Sequence, residues 1–460
     1  MGVDAVRSLF VAFVREPGLR ARFDADPRAA LVGFGLDDAE LEAFVAGDER
    51  LHGLFAAAQR AAGIEAAPAA APIADVAPEP FADAGPRFDA SPAAFTVRLD
   101  PTLVTRSDGS VGVRLAVSVH GEPAVPPSSP MREVPASLSG HRVGTSEVAA
   151  AAAAVWASAD MGPAVRDLVA EMTRTDLPIP AGPAYPPRTG PGAVRVHVVG
   201  LGITAGVHLT PEVAGVLATC RRAYYLDSGL GVPEQIAGLG PEAVGLFAET
   251  YVVGGDRAVG YRQIAARVVE DALTEERPVA LAIHGHPTVF SYPARLVADL
   301  CDALGIGVRV WAGVSAIDTV LAELRIDPSV LGLAMFEATD LMARDRALPV
   351  DVPVLVWQVG MLGSNLYAAA PSRPERLAGL QASIERSHGP GHPLTAVFTS
   401  PHPAVPTVRY DFPARELAAH APALHAGFTL FVPPAAVRPV APERLATLLD
   451  AAWLARVTQS

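Results

Sequence analysis

From residue 194 onward, short hydrophobic runs alternate with amphipathic segments, and this alternation restricts the fold more than any other feature of the sequence. Uninterrupted hydrophobic runs predict strands buried on both faces, and helices between them predict the crossovers of a mostly parallel sheet. The predicted strands are residues 194–199, 223–226, 278–283, 308–311, 354–358, 394–399 and 429–432. One predicted amphipathic helix has an apolar face made of Tyr261, Ile264, Val268, Val269 and Leu273. The sequence therefore predicts an α/β domain over residues 193–436.

The first 62 residues have the pattern of a small all-α domain. Apolar pairs recur there at helical spacing, at Leu9, Phe10, Phe13 and Val14. Asp26-Pro27 predicts a helix start, because aspartate caps a helix and proline fits its first position. A further helix is predicted from Asp37 to Gly47. Residues 63–87, dominated by alanine and proline, predict a linker after this domain.

Residues 88–176 predict an α+β middle region to which the sequence assigns no role. Ser107-Asp108-Gly109 lies between the β-type runs 103–105 and 111–113, which is typical of a hairpin. Residues 145–172 follow with the composition and spacing of an alanine-rich helix.

Two further segments bound the α/β domain. Residues 177–192 are rich in proline and glycine and predict a second linker. Residues 437–460 form a C-terminal tail, whose apolar residues at helical spacing predict a helix packed on the rest of the protein. These apolar residues are Leu445, Leu448, Leu449 and Trp453.

Composition excludes several classes of function. The 36 basic residues are all arginine, so a P-loop phosphate lysine, a pyridoxal Schiff base and a lysine nucleophile are excluded. Two cysteines are too few for a cysteine-rich zinc site or a disulfide framework. The net charge of -13 argues against binding to nucleic acid or to anionic lipid. No apolar stretch approaches the about 20 residues of a membrane helix, so we expect a soluble cytoplasmic protein that binds neither nucleic acid nor membrane.

Two motifs follow predicted strands at positions where α/β sheets bind ligands. Gly200-Leu201-Gly202 has two positions without a Cβ, which lets the backbone approach a ligand closely. The next helix starts only at Thr210-Pro211, so a dinucleotide site that would use Asp227 is the less favoured interpretation. His284-Gly285-His286-Pro287 ends the next buried strand, and this turn is a candidate ligand contact.

Other residues resemble parts of catalytic motifs without completing them. His284 and His286 lack a third metal ligand at a recognisable spacing, and glycine and proline separate His388 from His392. No metal site is therefore predicted. Gly313-Val314-Ser315-Ala316-Ile317 lacks the last glycine of a nucleophile elbow, which argues against a hydrolase.

Arg257 and Tyr261 are four residues apart at the start of the predicted helix, and Tyr251 precedes them. A guanidinium and one or two phenols can therefore converge. The residues alone also fit an ordinary surface arginine beside core tyrosines.

Several motifs in order mark a family resemblance. Residues 198–204, 284–290 and 312–316 resemble the tetrapyrrole (corrin/porphyrin) methylase superfamily of S-adenosylmethionine-dependent methyltransferases. A narrower similarity, to the borosin peptide backbone N-methyltransferases of that superfamily, rests on residues 336–341, 344–346, 357–360 and 429–434. The first 62 residues are similar to the small helical binding domain of borosin precursor peptides, through Asp26-Pro27-Arg28-Ala29, Gly35-Leu36 and Ala46-Gly47-Asp48.

The resemblance implies a two-lobed α/β fold that binds S-adenosylmethionine in the cleft between its lobes. It implies donor contacts from Gly200, Gly202, His284, Gly285, His286, Pro287, Val289, Phe290, Gly313, Ser315, Ala316, Gln358, Thr429 and Leu430. It assigns catalytic roles to Arg257, Tyr261 and Tyr251. Ala248 and His284 stand where the family usually has tyrosines, so the substrate or the proton path can differ from the family's.

Methylation of a backbone amide would require residues of these types. The lone pair of an amide nitrogen is delocalised into the carbonyl, so the nitrogen must lose its proton or be held as an imidate before it attacks a methyl sulfonium. A phenol with a pKa of about 10 is roughly three units from ionising at neutral pH, a cost of about 4 kcal/mol. An adjacent arginine recovers about 1 to 3 of those units. Arg257 would also stabilise the developing imidate oxygen.

We therefore expect a homodimeric methyltransferase of peptide backbone amides, in ribosomal peptide biosynthesis of the borosin type. Its substrate is expected either in a separate peptide or in this chain, where the tail, the first linker and the middle region are candidates. Self-modifying members of the family carry the enzyme before the substrate, whereas here a precursor-like domain comes first. Two alternatives remain open: a methyltransferase of a tetrapyrrole or other small molecule, and a catalytically degenerate module that binds a peptide.

Overall fold

The structure is a computed structural model that describes residues 3–48, 50–62, 94–105, 111–119, 122–123, 174–178, 194–226, 229–303, 306–368 and 370–458. Its residues group into two units. The first consists of Met1–Arg325, Gly363–Pro371 and Val397–Arg409, and the second of Ile326–Leu362, Ser372–Ala396 and Tyr410–Ser460. The helix predicted over residues 145–172 lies outside the described residues.

Within residues 3–48 and 50–62, five helices pack their apolar faces into one core that includes Phe10 and Phe44. The helices are α1 Val3–Arg15, α2 Pro17–Ala25, α3 Pro27–Leu31, α4 Asp38–Ala46 and α5 Arg50–Ala61. The predicted helix starts are confirmed. Asp26 accepts a hydrogen bond from a backbone N–H of α3, and Asp37 and Glu40 cap α4 reciprocally.

The described strands of the middle region form an antiparallel sheet in the order β3-β2-β1-β4. Their bounds are β1 Ala94–Thr105, β2 Val111–Val119, β3 Glu122–Pro123 and β4 Arg174–Pro178. The predicted hairpin is confirmed, because β1 and β2 pair up to Thr105 opposite Val111. Strand β4 extends two residues past the predicted domain boundary at residue 176. Leu177 lies opposite Phe95, so it belongs to a strand and not to the predicted linker.

The first predicted hydrophobic runs of the α/β region form a sheet whose pairs are all parallel, in the order β7-β6-β8-β5-β9. The strands are β5 Val196–Gly200, β6 Arg222–Tyr225, β7 Glu242–Gly245, β8 Val279–Ile283 and β9 Val308–Trp311. The helices of this region are α6 Pro211–Thr219, α7 Val232–Gly238, α8 Phe247–Thr250, α9 Arg257–Thr274, α10 Tyr292–Ala303 and α11 Ala316–Leu324. The parallel sheet is therefore confirmed, with β7 as an additional strand.

Alternate residues of these strands face opposite sides of the sheet, and each side is covered. Val198 and Leu281 belong to a core with residues of α9 and α10. Val199 and Ala280 belong to a second core, with residues of α6 and α7. Val14 of α1 joins this second core, so the N-terminal domain packs on that side of the sheet.

The predicted apolar face of helix α9 is confirmed, because its five residues belong to one core, and the helix is also buried around the rest of its circumference from Ile264 to Thr274. Val117 and Val119 of β2 share the core of its apolar residues, and the Val117 N–H donates to the Glu270 carboxylate (3.3 Å). Its buried Asp271 pairs with Arg222 (2.5 Å), which compensates the buried charge.

Among the described residues no helix is both long and apolar enough to cross a membrane.

The second unit is built on a mixed sheet in the order β10-β11-β14-β12-β13. Strand β10 runs parallel to β11, and β11 pairs antiparallel with β14. Strands β10 and β13 are additional to the predicted ones. The elements are α12 Pro328–Leu331, β10 Ala334–Glu337, α13 Ala338–Ala343, β11 Val354–Trp357, α14 Glu375–His388, β12 Pro393–Phe398, β13 Val408–Pro413, β14 Thr429–Val432 and α15 Ala451–Val457.

Helix α15 covers only the end of the C-terminal tail and contains Trp453 but not Leu445, Leu448 or Leu449. The prediction that these apolar residues are packed is wrong. Leu449 is 100% exposed and Leu448 is 70% exposed, and Trp453 and Leu445 are exposed as well. Helical spacing of apolar residues shows that a helix can form and does not show what covers it. The tail therefore adds these side chains to the surface of this chain.

Candidate active site

Three loops that follow parallel strands meet where only glycine fits. Gly200 ends β5, Gly285 follows β8 and Gly313 follows β9, and these strands are neighbours in the sheet. A Cβ on Gly200 would lie 2.5 Å from the carbonyl oxygen of Gly285 and 2.8 Å from the Cα of Gly313. A Cβ on Gly313 would lie 2.5 Å from the same oxygen. The three backbones therefore touch at the carboxyl edge of the sheet, where α/β proteins bind ligands.

Hydrogen bonds fix the first of these loops to the second. The N–H groups of Gly202 and Gly285 each donate to the carbonyl of the other, at 3.2 and 2.9 Å. His208, which the sequence analysis missed, closes the first loop by accepting a hydrogen bond from the Thr204 N–H at Nδ1 (3.0 Å). A Cβ on Gly202 would lie 2.3 Å from the His208 Cβ. Glycine at 202 is therefore required by this packing and by its φ of +78°.

The predicted donor-binding residues of the second loop, residues 284–290, differ in their exposure to solvent. His284 and Phe290 are exposed, His286 and Val289 are half-buried, and Gly285 and Pro287 are buried. The His286 Nδ1 accepts a hydrogen bond from the Thr288 N–H (3.1 Å), which requires an unprotonated nitrogen. Burial lowers the pKa of His286, and the Asp318 carboxylate acts in the opposite direction. The neutral imidazole therefore stabilises the turn at pH 7.

Ser315 is a helix cap and not a nucleophile. Its hydroxyl donates to the Asp318 carboxylate (2.7 Å), its own N–H donates to the same carboxylate (2.7 Å), and the Asp318 N–H donates to the serine oxygen (3.3 Å). This reciprocal cap starts α11 at Ala316 and holds Ser315 at 5% exposure. The geometry agrees with the prediction that the near-elbow motif is not a hydrolase site.

Arg257 is buried and held by backbone carbonyls. Its Nε donates to the Asn365 carbonyl oxygen (3.1 Å), and its Nη2 donates to the Ser364 carbonyl oxygen (3.1 Å). Its side chain makes no ion pair with a carboxylate in the described part of the chain, although the residue is only 8% exposed. Arg257 therefore presents a positive charge that a ligand oxygen can share.

The segment that holds Arg257 also brings a phenol that the sequence analysis missed. The N–H of Tyr367 donates to the Gly255 carbonyl (3.0 Å), and its carbonyl accepts from the Gly254 N–H (2.8 Å). Its ring centroid lies 5.6 Å from that of Tyr251, and Tyr251 lies 6.0 Å from Tyr261. The predicted phenols therefore do converge, with Tyr367 as an additional member of the group. Burial raises the pKa of Tyr367 above its ordinary value.

Three predicted donor-binding residues belong to the second unit. Gln358 follows β11 with a φ of +58°, a strained conformation that clusters at ligand sites in proteins. Thr429 and Leu430 begin β14, where Leu430 lies opposite Val356 of β11. The role of these residues in donor binding stays a prediction.

No group of three or more His, Cys, Asp or Glu side chains in the described part of the chain could hold a metal ion. Helix α14 ends at His388, so His388 and His392 do not share a helix, as the sequence predicts. Asp227 lies outside the described residues.

Replacement of Gly313 by alanine is expected to abolish measurable donor binding, because the new Cβ would meet backbone atoms that cannot rotate away. Gly215 is the matched control, since a Cβ there meets no atom within 4 Å and alanine favours the helix that contains it. Calorimetric titration of both variants with S-adenosylhomocysteine checks the expectation. Equal affinities of the two variants would contradict a ligand role for the three-glycine contact.

The central region of the chain is similar to known proteins. Residues 195–354 match the family model of the tetrapyrrole (corrin/porphyrin) methylases. Among solved structures, the uroporphyrin-III-C-methyltransferase from Thermus thermophilus aligns with 20% identity and a TM-score of 0.37, over 52% of this chain and 92% of that chain.

The curated relatives are proteins that join a methyltransferase to a peptide precursor. The methyltransferase/type I borosin cyclic peptide precursor of Serendipita vermifera subsp. bescii is 27% identical over 50% of this chain and 55% of that protein. The methyltransferase/omphalotin A precursor of Omphalotus olearius is 26% identical over 47% of this chain and 52% of that protein. The alignments thus span about half the length of these relatives. Residues 195–354 are therefore similar to the tetrapyrrole methylases, and the chain is similar over about half its length to the borosin methyltransferase/precursor proteins.

Proposed function

We propose that this protein is an S-adenosylmethionine-dependent methyltransferase that modifies peptide backbone amides in ribosomal peptide biosynthesis of the borosin type. The observation that carries the proposal is the buried Arg257, held by carbonyl oxygens and without a carboxylate partner among the described residues. Two findings support the reaction and the substrate. The central domain matches a methylase family, and the curated relatives are named as methyltransferases joined to peptide precursors.

The loops at the carboxyl edge of the parallel sheet fit a nucleoside donor. The contact among Gly200, Gly285 and Gly313 holds the ends of three neighbouring parallel strands together at the edge of the sheet where α/β proteins bind ligands. The residues that would hold the donor in the first unit are Gly200, Gly202, Gly285, Gly313, Ser315, Ala316 and the turn 284–290. When bound, S-adenosylmethionine supplies the methyl group of its sulfonium.

Arg257 would bind the carbonyl oxygen of the amide that is methylated. Its Nε and Nη2 are engaged by carbonyl oxygens, whereas its Nη1 makes no hydrogen bond within the described part of the chain. Donation from Nη1 to the amide oxygen would favour the imidate form, because that oxygen gains negative charge as the nitrogen loses its proton.

The proton of the amide nitrogen would pass to a phenolate oxygen, that is, to a tyrosine that has already given up its own proton. Tyr261 is four residues after Arg257 on α9 and is 4% exposed, so water does not compete strongly there. The centroid of the Tyr251 ring lies 6.0 Å from that of Tyr261, so a second phenol belongs to the same group of rings. Arg257, Tyr261 and Tyr251 are thus the proposed catalytic residues.

The substrate would be a peptide segment presented by this chain or by a second molecule. The tail is one candidate in the chain, because its leucines and Trp453 are exposed. We also propose that the protein acts in the cytoplasm and that it forms a homodimer. Light scattering of the purified chain would test the homodimer.

Intact-mass measurement and tandem fragmentation of the full chain, expressed with its own cofactor supply, test the proposed function. We expect increments of one methyl group that map to backbone amides of one segment. An unmodified chain that binds S-adenosylhomocysteine would direct the search to a separate peptide or to a small molecule such as a tetrapyrrole. An unmodified chain with no affinity for S-adenosylhomocysteine would contradict the proposal.

A further inference from the structure

Helix α1 contacts the loop that continues from Gly200-Leu201-Gly202. Val14 is 4% exposed and shares a core with Leu201 and Ala205. A Cβ on Gly206 would lie 2.5 Å from the carbonyl oxygen of Val14, so the two backbones touch. The loop 200–206 therefore packs directly on the N-terminal domain.

A second segment, residues 400–402, contacts both the loop and the N-terminal domain. The Pro401 carbonyl accepts a hydrogen bond from the Ala205 N–H (2.9 Å), and the Ser400 carbonyl accepts one from the Thr204 hydroxyl (3.0 Å). In the same segment, the Nε2 of His402 donates to the Phe10 carbonyl of α1 (2.9 Å). The Ala404 N–H donates to Nδ1, so the hydrogen bonds select the neutral tautomer with its proton on Nε2.

His402 is enclosed by the aromatic core of the N-terminal domain. It is 1% exposed, and its ring centroid lies 4.7 Å from that of Phe10 and 5.0 Å from that of Phe55. Undocking the N-terminal domain would therefore expose the imidazole and release the 400–402 segment. Thr204 and Ala205 donate hydrogen bonds to the Ser400 and Pro401 carbonyls. The N-terminal domain would then no longer hold these two carbonyls in place.

We propose that residues 3–62 position the methyl-donor loop, through Val14 directly and through His402 indirectly. A loop that binds a ligand with its backbone binds more tightly when it is fixed in advance, because ordering it on binding costs conformational entropy. Val14 and His402 are thus positioning residues for donor affinity. The inference rests on the proposed function, because it takes Gly200-Leu201-Gly202 as part of the donor site.

Val14→Asp in the full chain tests this coupling. A carboxylate in that core should undock the N-terminal domain, and we expect the dissociation constant for S-adenosylhomocysteine to rise about tenfold. Val32→Asp is the matched control, because it places the same carboxylate in the same domain on a side chain that is 80% exposed. Its dissociation constant should stay within about twofold of the wild-type value.

Hydrogen exchange of residues 3–62 in each variant shows whether the domain has undocked. If Val14→Asp does not fold, Val14→Ala and His402→Gln are the milder variants, with about threefold weaker donor binding expected. Faster exchange in residues 3–62 with unchanged donor affinity would overturn this inference and leave the proposed function standing. A wild-type chain that does not bind S-adenosylhomocysteine would overturn both.

Discussion

Arg257→Ala is expected to lower kcat for methylation by about 10² to 10³-fold, because it removes the donor aimed at the developing imidate oxygen. The affinity for S-adenosylhomocysteine is expected to change little, because the loops with the three touching glycines keep their own contacts. The rate is measured as methyl groups per chain against time by intact mass, and the affinity by calorimetry. Loss of rate at constant affinity would separate catalysis from binding.

Arg295→Ala controls for the loss of one arginine. Arg295 is half exposed on α10 and pairs with Asp299 four residues on, so its removal should cost under about 0.5 kcal/mol of stability and leave the rate unchanged. Tyr261→Phe removes only the proposed proton acceptor and should also slow methylation strongly. If Arg257→Ala and Tyr261→Phe both retain full methylation with donor binding intact, the assignment of the catalytic residues is wrong.

The centre of the parallel sheet could be predicted from the sequence because strands β5 and β8 are buried on both faces. Strand β8 is buried at all five positions, so it appears in the sequence as a continuous hydrophobic run. Strand β7 has exposed ends, and β13 has three consecutive exposed residues, so neither produces such a run. These strands are defined by pairing with neighbours, which a local pattern does not record.

The candidate site also contains some residues that a local sequence pattern can predict and others that it cannot. Gly200, Gly285 and Gly313 follow hydrophobic runs, and the carboxyl ends of neighbouring parallel strands meet at one edge, so their convergence could be predicted. Asn365 and Tyr367 lie more than one hundred residues after Arg257 in the sequence, and no spacing rule connects them. Only the folded chain shows that this segment holds the guanidinium.

Helix α9 illustrates why burial is harder to predict than helix formation. Its period indicates a helix with one apolar face, whereas the residues from Ile264 to Thr274 are buried all around the helix, where β2 is one of the elements that pack against it. Glu270, outside that apolar face, is only 3% exposed and accepts a hydrogen bond from the Val117 N–H. A buried carboxylate of this kind depends on a partner that is distant in the sequence.

The free energy of unfolding is expected to fall in acid because of His402. Burial lowers the pKa of this histidine from 6.5 to about 4, the Arg20 charge acts in the same direction, and the hydrogen bond to Phe10 opposes it. The folded pKa lies below the unfolded one, so the neutral form contributes fully above pH 6.5. That contribution is lost as the pH falls from 6.5 towards 4, and a shift of this size corresponds to about 3 kcal/mol.

Guanidinium chloride unfolding of wild type and His402→Gln at pH 7 and at about pH 4 isolates this contribution. Other histidines, including His197 with its pKa of about 4, titrate in both proteins and cancel in the comparison. We expect the wild type to lose about 3 kcal/mol more than His402→Gln between the two pH values. Equal losses would show that His402 does not stay neutral in the folded protein. Faster hydrogen exchange in residues 3–62 of the acidified wild type would locate the loss at the N-terminal domain, because His402 is enclosed by the core of that domain.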